Sequence, residues 1–189
     1  MDDDHDSESS IVARISVPMT DLDLEQYIGI KPKDIIKYSE LKNYNKMTDL
    51  LPRDKTYRII LIEDKLNSGH FVSILRYQHT IEFFNSYGGP PDADWKFINR
   101  MIRVILGEST NELTRLFKSA ADEGFITVYN TYRFQKLSNK IQTCGRWCIL
   151  RIELMKAGYN LAEFVQFVKE YAKKLNKTTD YIVSKMVWK

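Results

Sequence analysis

The chain has 189 residues, 43% of them hydrophobic, and a net charge of +3, which suits one globular domain with a substantial core. It has no apolar run of about 18 residues and no basic-then-apolar N-terminal segment, so we expect no membrane-spanning helix and no secretory signal. The two cysteines and three histidines have neither disulfide-framework nor metal-ligand spacing. These patterns predict a reducing compartment and no metal or cofactor.

The charge is unevenly distributed along the sequence. Five acidic residues and no basic residue fall within the first ten positions. We therefore expect residues 1–10 to form a disordered acidic tail and residues 11–189 to form a single domain. Without those five acids the chain carries 28 basic and 20 acidic residues, a net charge of +8. That excess is compatible with a nucleic-acid partner, but the basic residues are scattered, which favours an ordinary solvated surface.

The N-terminal half predicts an arm, a helix and three strands. A short apolar segment at 11–17 predicts an extended arm, and the segment 33–51 predicts a helix that Pro52 ends. Strands rich in β-branched and aromatic residues are predicted at 57–62, 69–77 and 80–85. The last two are joined by a hairpin turn, and a loop of glycines and prolines follows at 86–92.

The C-terminal half is predicted to be mainly helical. The capping-box pattern from Asn160 to Glu163 marks the start of one of its helices. Helices are expected at 95–106, 110–122, 144–155, 161–175 and 178–188, with one strand at 125–129.

The segment CGRWCILRIELM, which starts at Cys144, is apolar around most of its circumference and is therefore typical of a buried helix. A thiol in the first turn lies beside unpaired N–H groups and the positive end of the helix dipole, which favour the nucleophilic thiolate. Gly145 removes a side chain next to the sulfur, so a substrate backbone can approach it. Buried cysteines are commonly inert, and Cys148, one turn later, is expected to be a core residue.

A nucleophilic cysteine needs a base, and one histidine has an ordered, partly apolar setting. His70 begins one predicted strand and Asn85 ends the next, so an antiparallel hairpin makes them neighbours. The amide oxygen of Asn85 would then accept an imidazole N–H and fix the tautomer. Alone, each also fits a structural role, as a strand-end histidine and a turn-forming asparagine. Glu82, farther from the strand end, is the competing partner for His70.

Two glutamines, Gln135 and Gln142, precede the cysteine. A glutamine carboxamide, together with the backbone N–H of Cys144, would stabilise the oxyanion of an acyl-transfer reaction. Polar residues before a helix are common, so neither glutamine is diagnostic by itself.

Taken in order, these motifs resemble a known family. The segments GHFVSILR, IEFFNSYGGPPD and YRFQ…TCGRWC are similar to those of the cysteine proteases that include the adenovirus protease and the SUMO-specific proteases. The likeness is strongest to the maturation proteases of virophages, Polinton-type elements and related large DNA viruses. It extends from about residue 38 to residue 155.

The resemblance implies an α+β, papain-like (adenain/SUMO-protease-like) fold, with a small, mostly antiparallel sheet packed by a central cysteine-bearing helix and surrounding helices. It also implies that Cys144 is the nucleophile, His70 the general base and acid, and Asn85 the residue that orients His70. Gln135, in the YxxQKL position, would donate to the oxyanion. Cys144 lies nine positions after Gln135, farther than in the adenovirus or SUMO branch, so Gln142 remains a lesser candidate.

Two further positions depart from the family pattern. Phe71 follows the histidine where many relatives have tryptophan, and Asn85 stands where aspartate or glutamate is common. Asparagine is nevertheless sufficient in related Cys–His–Asn sites.

The resemblance implies a cysteine endopeptidase that processes capsid and other virion precursor proteins during maturation. It would work in the virion and the host-cell cytoplasm or nucleus, with no membrane partner. Stimulation by DNA or a peptide, as in the adenovirus relative, is compatible with the basic body of the chain. The alternatives are an isopeptidase for ubiquitin-like modifiers, an acyltransferase on the same scaffold, and a non-catalytic binding module that kept the fold.

Overall fold

A computed structural model describes residues 7–27, 29–93, 96 and 98–188, which form a five-stranded sheet and eight α-helices. No helix within these ranges is long and apolar enough to cross a membrane. The same residues contain no group of histidine, cysteine and acidic side chains that could hold a metal ion.

The elements follow one another along the chain with two short 3₁₀ turns, Pro32–Asp34 and Tyr38–Asn43. The helices are α1 (Glu8–Ile15), α2 (Asp21–Glu25), α3 (Met47–Leu50), α4 (Arg100–Ile105), α5 (Glu112–Asp122), α6 (Cys144–Lys156), α7 (Leu161–Leu175) and α8 (Thr179–Met186). The strands are β1 (Ile35–Lys37), β2 (Thr56–Lys65), β3 (Ser68–Tyr77), β4 (Thr80–Phe84) and β5 (Ile126–Tyr129).

The sheet is mixed, with the strand order β1-β2-β3-β4-β5. The two central pairings, β2–β3 and β3–β4, are antiparallel, whereas β1–β2 and β4–β5 are parallel. The expectation of a mostly antiparallel sheet is therefore wrong for the outer strands. Parallel neighbours need a long crossover, and here α4 and α5 lie in the connection from β4 to β5.

Both faces of the sheet are buried, which explains why the central strands read as nearly continuous apolar runs. One core contains Leu61, Phe71, Phe84 and the side chains of α6, including Trp147. The second core, on the other face, contains Ile60, Val72, Phe83 and the apolar side of α5. The predicted helices at 144–155 and 161–175 are confirmed, the second with its Asn160–Glu163 capping box.

Two N-terminal predictions are wrong. The 33–51 segment is not one helix, because Ile36 pairs with Ile60 of β2 and the local chain becomes a strand between 3₁₀ turns. The expected arm at 11–17 is largely the helix α1, in which Ile11 is buried. Tertiary pairing and packing override local propensity at both places.

The first helix also begins inside the predicted acidic tail. Ser7 is its N-cap and accepts a hydrogen bond from the backbone N–H of Ser10, so residues 8–10 are helical and not disordered. A capping serine followed by an acidic residue suits a helix N-terminus. Residues 1–6 of the tail lie outside the described residues. The predicted helix at 95–106 is shorter, with Asn99 as the N-cap of α4, and positions 94, 95 and 97 also lie outside the described part.

Candidate active site

Cys144 is the first residue of α6 and is buried against β3. The first hydrogen bond of this helix runs from the N–H of Trp147 to the carbonyl of Thr143. The earlier N–H groups, including that of Cys144, therefore have no acceptor within the helix. Gly145 packs closely against Met19, because a Cβ at position 145 would lie 3.1 Å from Cβ of Met19 and would require it to shift.

His70 and Asn85 are hydrogen-bonded to each other, as the hairpin geometry predicted. The Nε2 atom of His70 lies 2.8 Å from Oδ1 of Asn85. The same oxygen accepts the backbone N–H of Tyr87 at 2.9 Å, which identifies this amide atom as the oxygen, since an N–H can only donate. His70 must then donate from Nε2, and Nδ1 is left for the thiol.

The imidazole ring is also held by stacking. The rings of His70 and Tyr87 lie 4.3 Å apart between centroids and are 16° from parallel. With one edge hydrogen-bonded to Asn85 and one face covered by Tyr87, the orientation of the ring is fixed from two directions. Tyr87 was not among the residues that sequence reasoning identified, although it lies two positions after Asn85.

The thiol of Cys144 interacts with His70. Burial raises the pKa of this thiol, but the hydrogen bond and charge of His70 lower it. The backbone N–H groups of Phe71 and Gly145 lower it further, and the resulting pKa is below the ordinary value of 9.0. Cys144 is therefore more readily deprotonated than an ordinary cysteine. Cys148 is its counterpart in the core, where burial raises the thiol pKa well above 9.0.

Asn130 holds the backbone of Asn85 in place. The Oδ1 atom of Asn130 accepts the N–H of Asn85 at 2.9 Å, and its Nδ2 donates to the carbonyl of Asn85 at 2.7 Å. Sequence reasoning missed this residue. A signal existed, because Asn130 directly follows β5 as Asn85 directly follows β4, and neighbouring parallel strands end at the same edge of a sheet.

Glu82, the competing partner for His70, is engaged elsewhere. It pairs opposite Leu75 and points into the core on the α6 side of the sheet. Both its oxygens accept hydrogen bonds from Arg151, at 2.7 and 2.8 Å, and both side chains are 0% exposed. The hydroxyl of Tyr77 donates to the same carboxylate at 2.6 Å. Glu82 is thus the anion of a buried ion pair and does not contact His70.

The two glutamines occupy different positions. Gln135 is 1% exposed, and its Nε2 donates to the carbonyl of Ile141 at 3.1 Å and to the hydroxyl of Tyr87 at 3.3 Å. Its Oε1 accepts the hydroxyl of Ser86 at 2.8 Å. Gln142, in contrast, lies beside Cys144 in the wall of an open groove. Its Nε2 donates to the carbonyl of Asn139 at 3.2 Å, and of the two glutamines Gln142 is the one that lines this groove.

The groove beside the thiol has a volume of about 500 Å³. A second groove, of about 650 Å³, lies next to it, and the two share Gly69, Asn139 and Gln142. The second groove is walled by the segment between α1 and α2 and by Phe71. The first is lined by Ile62, Asp64, Gly69, His70, Tyr87, Ile98, Leu137, Ser138, Asn139, Gln142 and Cys144.

The carboxylate of Asp180 holds the loop before α6 in place. This carboxylate accepts the hydroxyl of Thr143 at 2.7 Å and the backbone N–H of Lys136 at 3.1 Å. Asp180 therefore connects the start of α6 to the start of the loop that carries Leu137, Asn139 and Gln142 into the groove.

Protein V9 of Sputnik virophage, an uncharacterized protein, is 32% identical to this chain over 169 residues, which cover 89% of this chain and 93% of V9. The chain belongs to the V9 family. Membership establishes a virophage relative along almost the whole chain, and V9 itself carries no described activity. No protein-family model matches the chain.

Two solved structures are similar to this chain, both with low TM-scores. The central domain of an uncharacterized Legionella pneumophila protein, Lpg1148, gives a TM-score of 0.39 at 9% identity and covers 90% of this chain and 97% of its own. The SUMO protease Ulp1, with its catalytic cysteine oxidized to a sulfinic acid, gives a TM-score of 0.34 at 15% identity. That match covers 95% of this chain and 77% of Ulp1. Neither score is high enough to assign the V9 family a fold.

Proposed function

We propose that this V9-family chain is a cysteine endopeptidase with a papain-like site, in which Cys144 attacks the substrate. One observation carries the proposal: the thiol of Cys144 interacts with His70, and His70 is hydrogen-bonded to Asn85. The pKa of the thiol is lowered, and Nε2 of His70 lies 2.8 Å from Oδ1 of Asn85. A thiol, a base and a group that orients the base are the parts that covalent acyl transfer requires.

In the proposed reaction, His70 takes the proton of the thiol, and the sulfur of Cys144 attacks the scissile carbonyl. His70 then donates that proton to the leaving amine, and a thioester remains on the enzyme. A water molecule, deprotonated by His70, attacks the thioester, releases the acid product and restores the thiol. Asn85 accepts the Nε2–H of His70 throughout, so Nδ1 remains the atom that exchanges protons with sulfur and amine.

The oxyanion formed on the carbonyl needs donors beside the sulfur. The backbone N–H of Cys144 is the first donor, because it is free of the helical hydrogen-bond pattern at the start of α6. We assign the second donor to Gln142, which lines the groove beside the thiol and would turn its Nε2 from the carbonyl of Asn139 towards the oxyanion. Gln135 is buried and does not line this groove, and its Nε2 donates to the carbonyl of Ile141 and the hydroxyl of Tyr87. Each donor of this kind is typically worth about 3–4 kcal/mol in the transition state.

The two grooves favour an endopeptidase. They meet at Gly69, Asn139 and Gln142, so there is room for an extended chain on both sides of a bond placed at Cys144. A carboxypeptidase or an aminopeptidase would need one side closed. Gly69 itself has no room for a side chain, because its Cβ would lie 1.9 Å from the carbonyl oxygen of Ile62.

The virophage relative suggests the biological substrate. We propose that the enzyme cleaves capsid or other virion precursor proteins during maturation, inside the virion or in the host-cell cytoplasm or nucleus. DNA would raise its activity through the excess of basic residues outside the first ten positions, and a peptide is the second candidate activator.

Coexpression tests this function. The intact chain is produced together with capsid precursors of a virophage, and the precursors are mapped by mass spectrometry. We expect cleavage at defined sites with the wild type and with Cys148→Ser, and none with Cys144→Ala or His70→Ala. Cleavage that persists in Cys144→Ala would refute the proposal, as would intact precursors in every sample that also contains a folded enzyme and added DNA.

A further inference from the structure

The groove beside Cys144 has a charged residue at the edge of an otherwise neutral wall. Its apolar part consists of Ile62, Ile98 and Leu137. Ser138, Asn139 and Gln142 supply neutral polar groups. Asp64 is the acidic side chain among the described residues that line this groove.

A strand irregularity places Asp64 there. Ile62 pairs with His70 and Glu63 with Gly69, but the next pairing joins Lys65 to Ser68, so Asp64 is left unpaired at a bulge. Bulges change the direction of side chains and are frequent next to active sites. The two neighbours of Asp64 do not share its position, since Glu63 is buried and Lys65 lines the other groove.

The carboxylate of Asp64 is exposed and has no hydrogen-bond or ion-pair partner among the described residues. It lies two residues along β2 from Ile62, the partner of His70, which is about 7 Å at the rise of a strand. An extended substrate advances by about 3.3–3.6 Å per residue. For a substrate that runs along β2, Asp64 would therefore lie about two residues from a bond placed beside His70.

Two buried acidic side chains, Glu63 and Glu108, lie near Asp64. Glu63 is partly compensated by Lys37, whose Nζ lies 3.3 Å from its Oε1. Glu108 accepts the N–H of Glu63 at 3.0 Å, and its second oxygen is buried without a hydrogen-bond partner. Arg103 is the cation that acts on Glu108. Because Lys37 and Arg103 compensate these two acids and the pKa of Glu108 is about 7, a cationic substrate group in the groove would be attracted mainly by Asp64.

We propose that Asp64 is a specificity-determining residue that selects a lysine or arginine side chain of the substrate about two residues from the bond cleaved at Cys144. This inference rests on the proposed cysteine endopeptidase function. The inferred substrate is an extended segment with a basic residue near the cleavage site. It also has apolar residues that pack against Ile62, Ile98 and Leu137.

The first test measures the electrostatics of the groove and needs no peptide substrate. Cys144 is modified with a cationic and an anionic methanethiosulfonate of similar size at low ionic strength, and the ratio of the two rates is taken. In the wild type we expect the cationic reagent to be favoured. Asp64→Asn should lower the ratio about fivefold, and Asp64→Lys should reverse the preference. Asp122→Asn and Asp122→Lys, which change an exposed acid at the end of α5, are the matched controls and should leave the ratio unchanged.

The second test measures selection directly, with a pool of peptides randomised on both sides of the cleavage site. The wild type should prefer lysine or arginine over glutamate about tenfold at one position near the bond, and Asp64→Lys should prefer aspartate or glutamate there. A wild-type profile without basic preference, or one that Asp64→Lys does not change, would overturn the assignment. A thiol that reacts with neither reagent would instead refute the proposed function, and the assignment with it.

Discussion

Asn85 accepts two hydrogen bonds on one oxygen, from Nε2 of His70 at 2.8 Å and from the backbone N–H of Tyr87 at 2.9 Å. The second bond fixes the first, because it prevents the amide from turning its nitrogen towards the imidazole. Asn130 holds the backbone of the same residue at both its N–H and its carbonyl. The tautomer of His70 is therefore set by a chain of contacts that reaches from β5 to the thiol.

Removal of the side-chain oxygen of Asn85 should impair His70 as the general base. We expect Asn85→Ala to lower kcat/KM about 100-fold, since the positioned base contributes a factor of about 10²–10⁴. Asn85→Asp should retain most of the activity, because a carboxylate still accepts from Nε2. Nearly equal activities of Asn85→Ala and Asn85→Asp would contradict this role, provided that thermal unfolding shows both variants to be folded.

Alanine substitutions of the two glutamines should have different effects on kcat and on stability. Gln142→Ala should lower kcat by about 10²–10³ with little effect on stability, as expected for an oxyanion donor in an open groove. Gln135→Ala should lower the stability, because it leaves the hydroxyl of Ser86 and the carbonyl of Ile141 buried without partners. A stable Gln135→Ala variant with a large loss of kcat, beside a fully active Gln142→Ala, would reverse the assignment.

The His70–Asn85 pairing could be predicted from the sequence because it is local. One tight hairpin separates the two residues, and antiparallel pairing alone brings the start of β3 next to the end of β4. The burial of α6 was predictable for a similar reason, since its apolar residues cover most of one helix. Residues outside that hairpin, such as Asn130 and Tyr87, complete the surroundings of the pair.

Long-range features could not be predicted. The residues of the ion pair Glu82–Arg151 are 69 positions apart in the sequence. Their contact depends on the crossover from β4 to β5, which allows α6 to pack on the sheet. Arg151 lies within an apolar helix, where an isolated charge would have been costly without Glu82. The same dependence on tertiary pairing turned the segment 33–51 from a predicted helix into β1 and its flanking turns.

This ion pair predicts an asymmetric effect on stability. Arg151→Met removes the cation and leaves the carboxylate of Glu82 buried, so the free energy of unfolding should fall by about 3–5 kcal/mol. Lys46→Met is the control, because the exposed Lys46 pairs with the half-buried Glu123 at 3.8 Å, and it should cost less than about 1 kcal/mol. The losses in the free energy of unfolding of the two variants are measured by urea unfolding. Equal losses would show that burial of Glu82 is not what makes Arg151 necessary.

Glu108 predicts a pH dependence of stability. Burial raises its pKa from 4.5 to about 7, and the carboxylates of Glu63 and Asp64 also contribute. Because the folded-state pKa lies above the unfolded one, the contribution to stability is fully present below pH 4.5 and is lost as the pH rises through about 7. Glu108→Gln keeps an acceptor for the N–H of Glu63 and should remove this loss, on the order of 3 kcal/mol. Parallel stability curves for wild type and Glu108→Gln between pH 4.5 and pH 8 would disprove it.

The central claim is that His70 activates Cys144, and alkylation of the thiols as a function of pH tests it most directly. Iodoacetamide is applied to the folded wild type and to His70→Ala, and the modified cysteine is identified by mass spectrometry. We predict rapid labelling of Cys144 with a midpoint below pH 9, a midpoint moved to higher pH in His70→Ala, and no labelling of Cys148 in either protein. Slow labelling of both cysteines that does not depend on His70 would contradict the account.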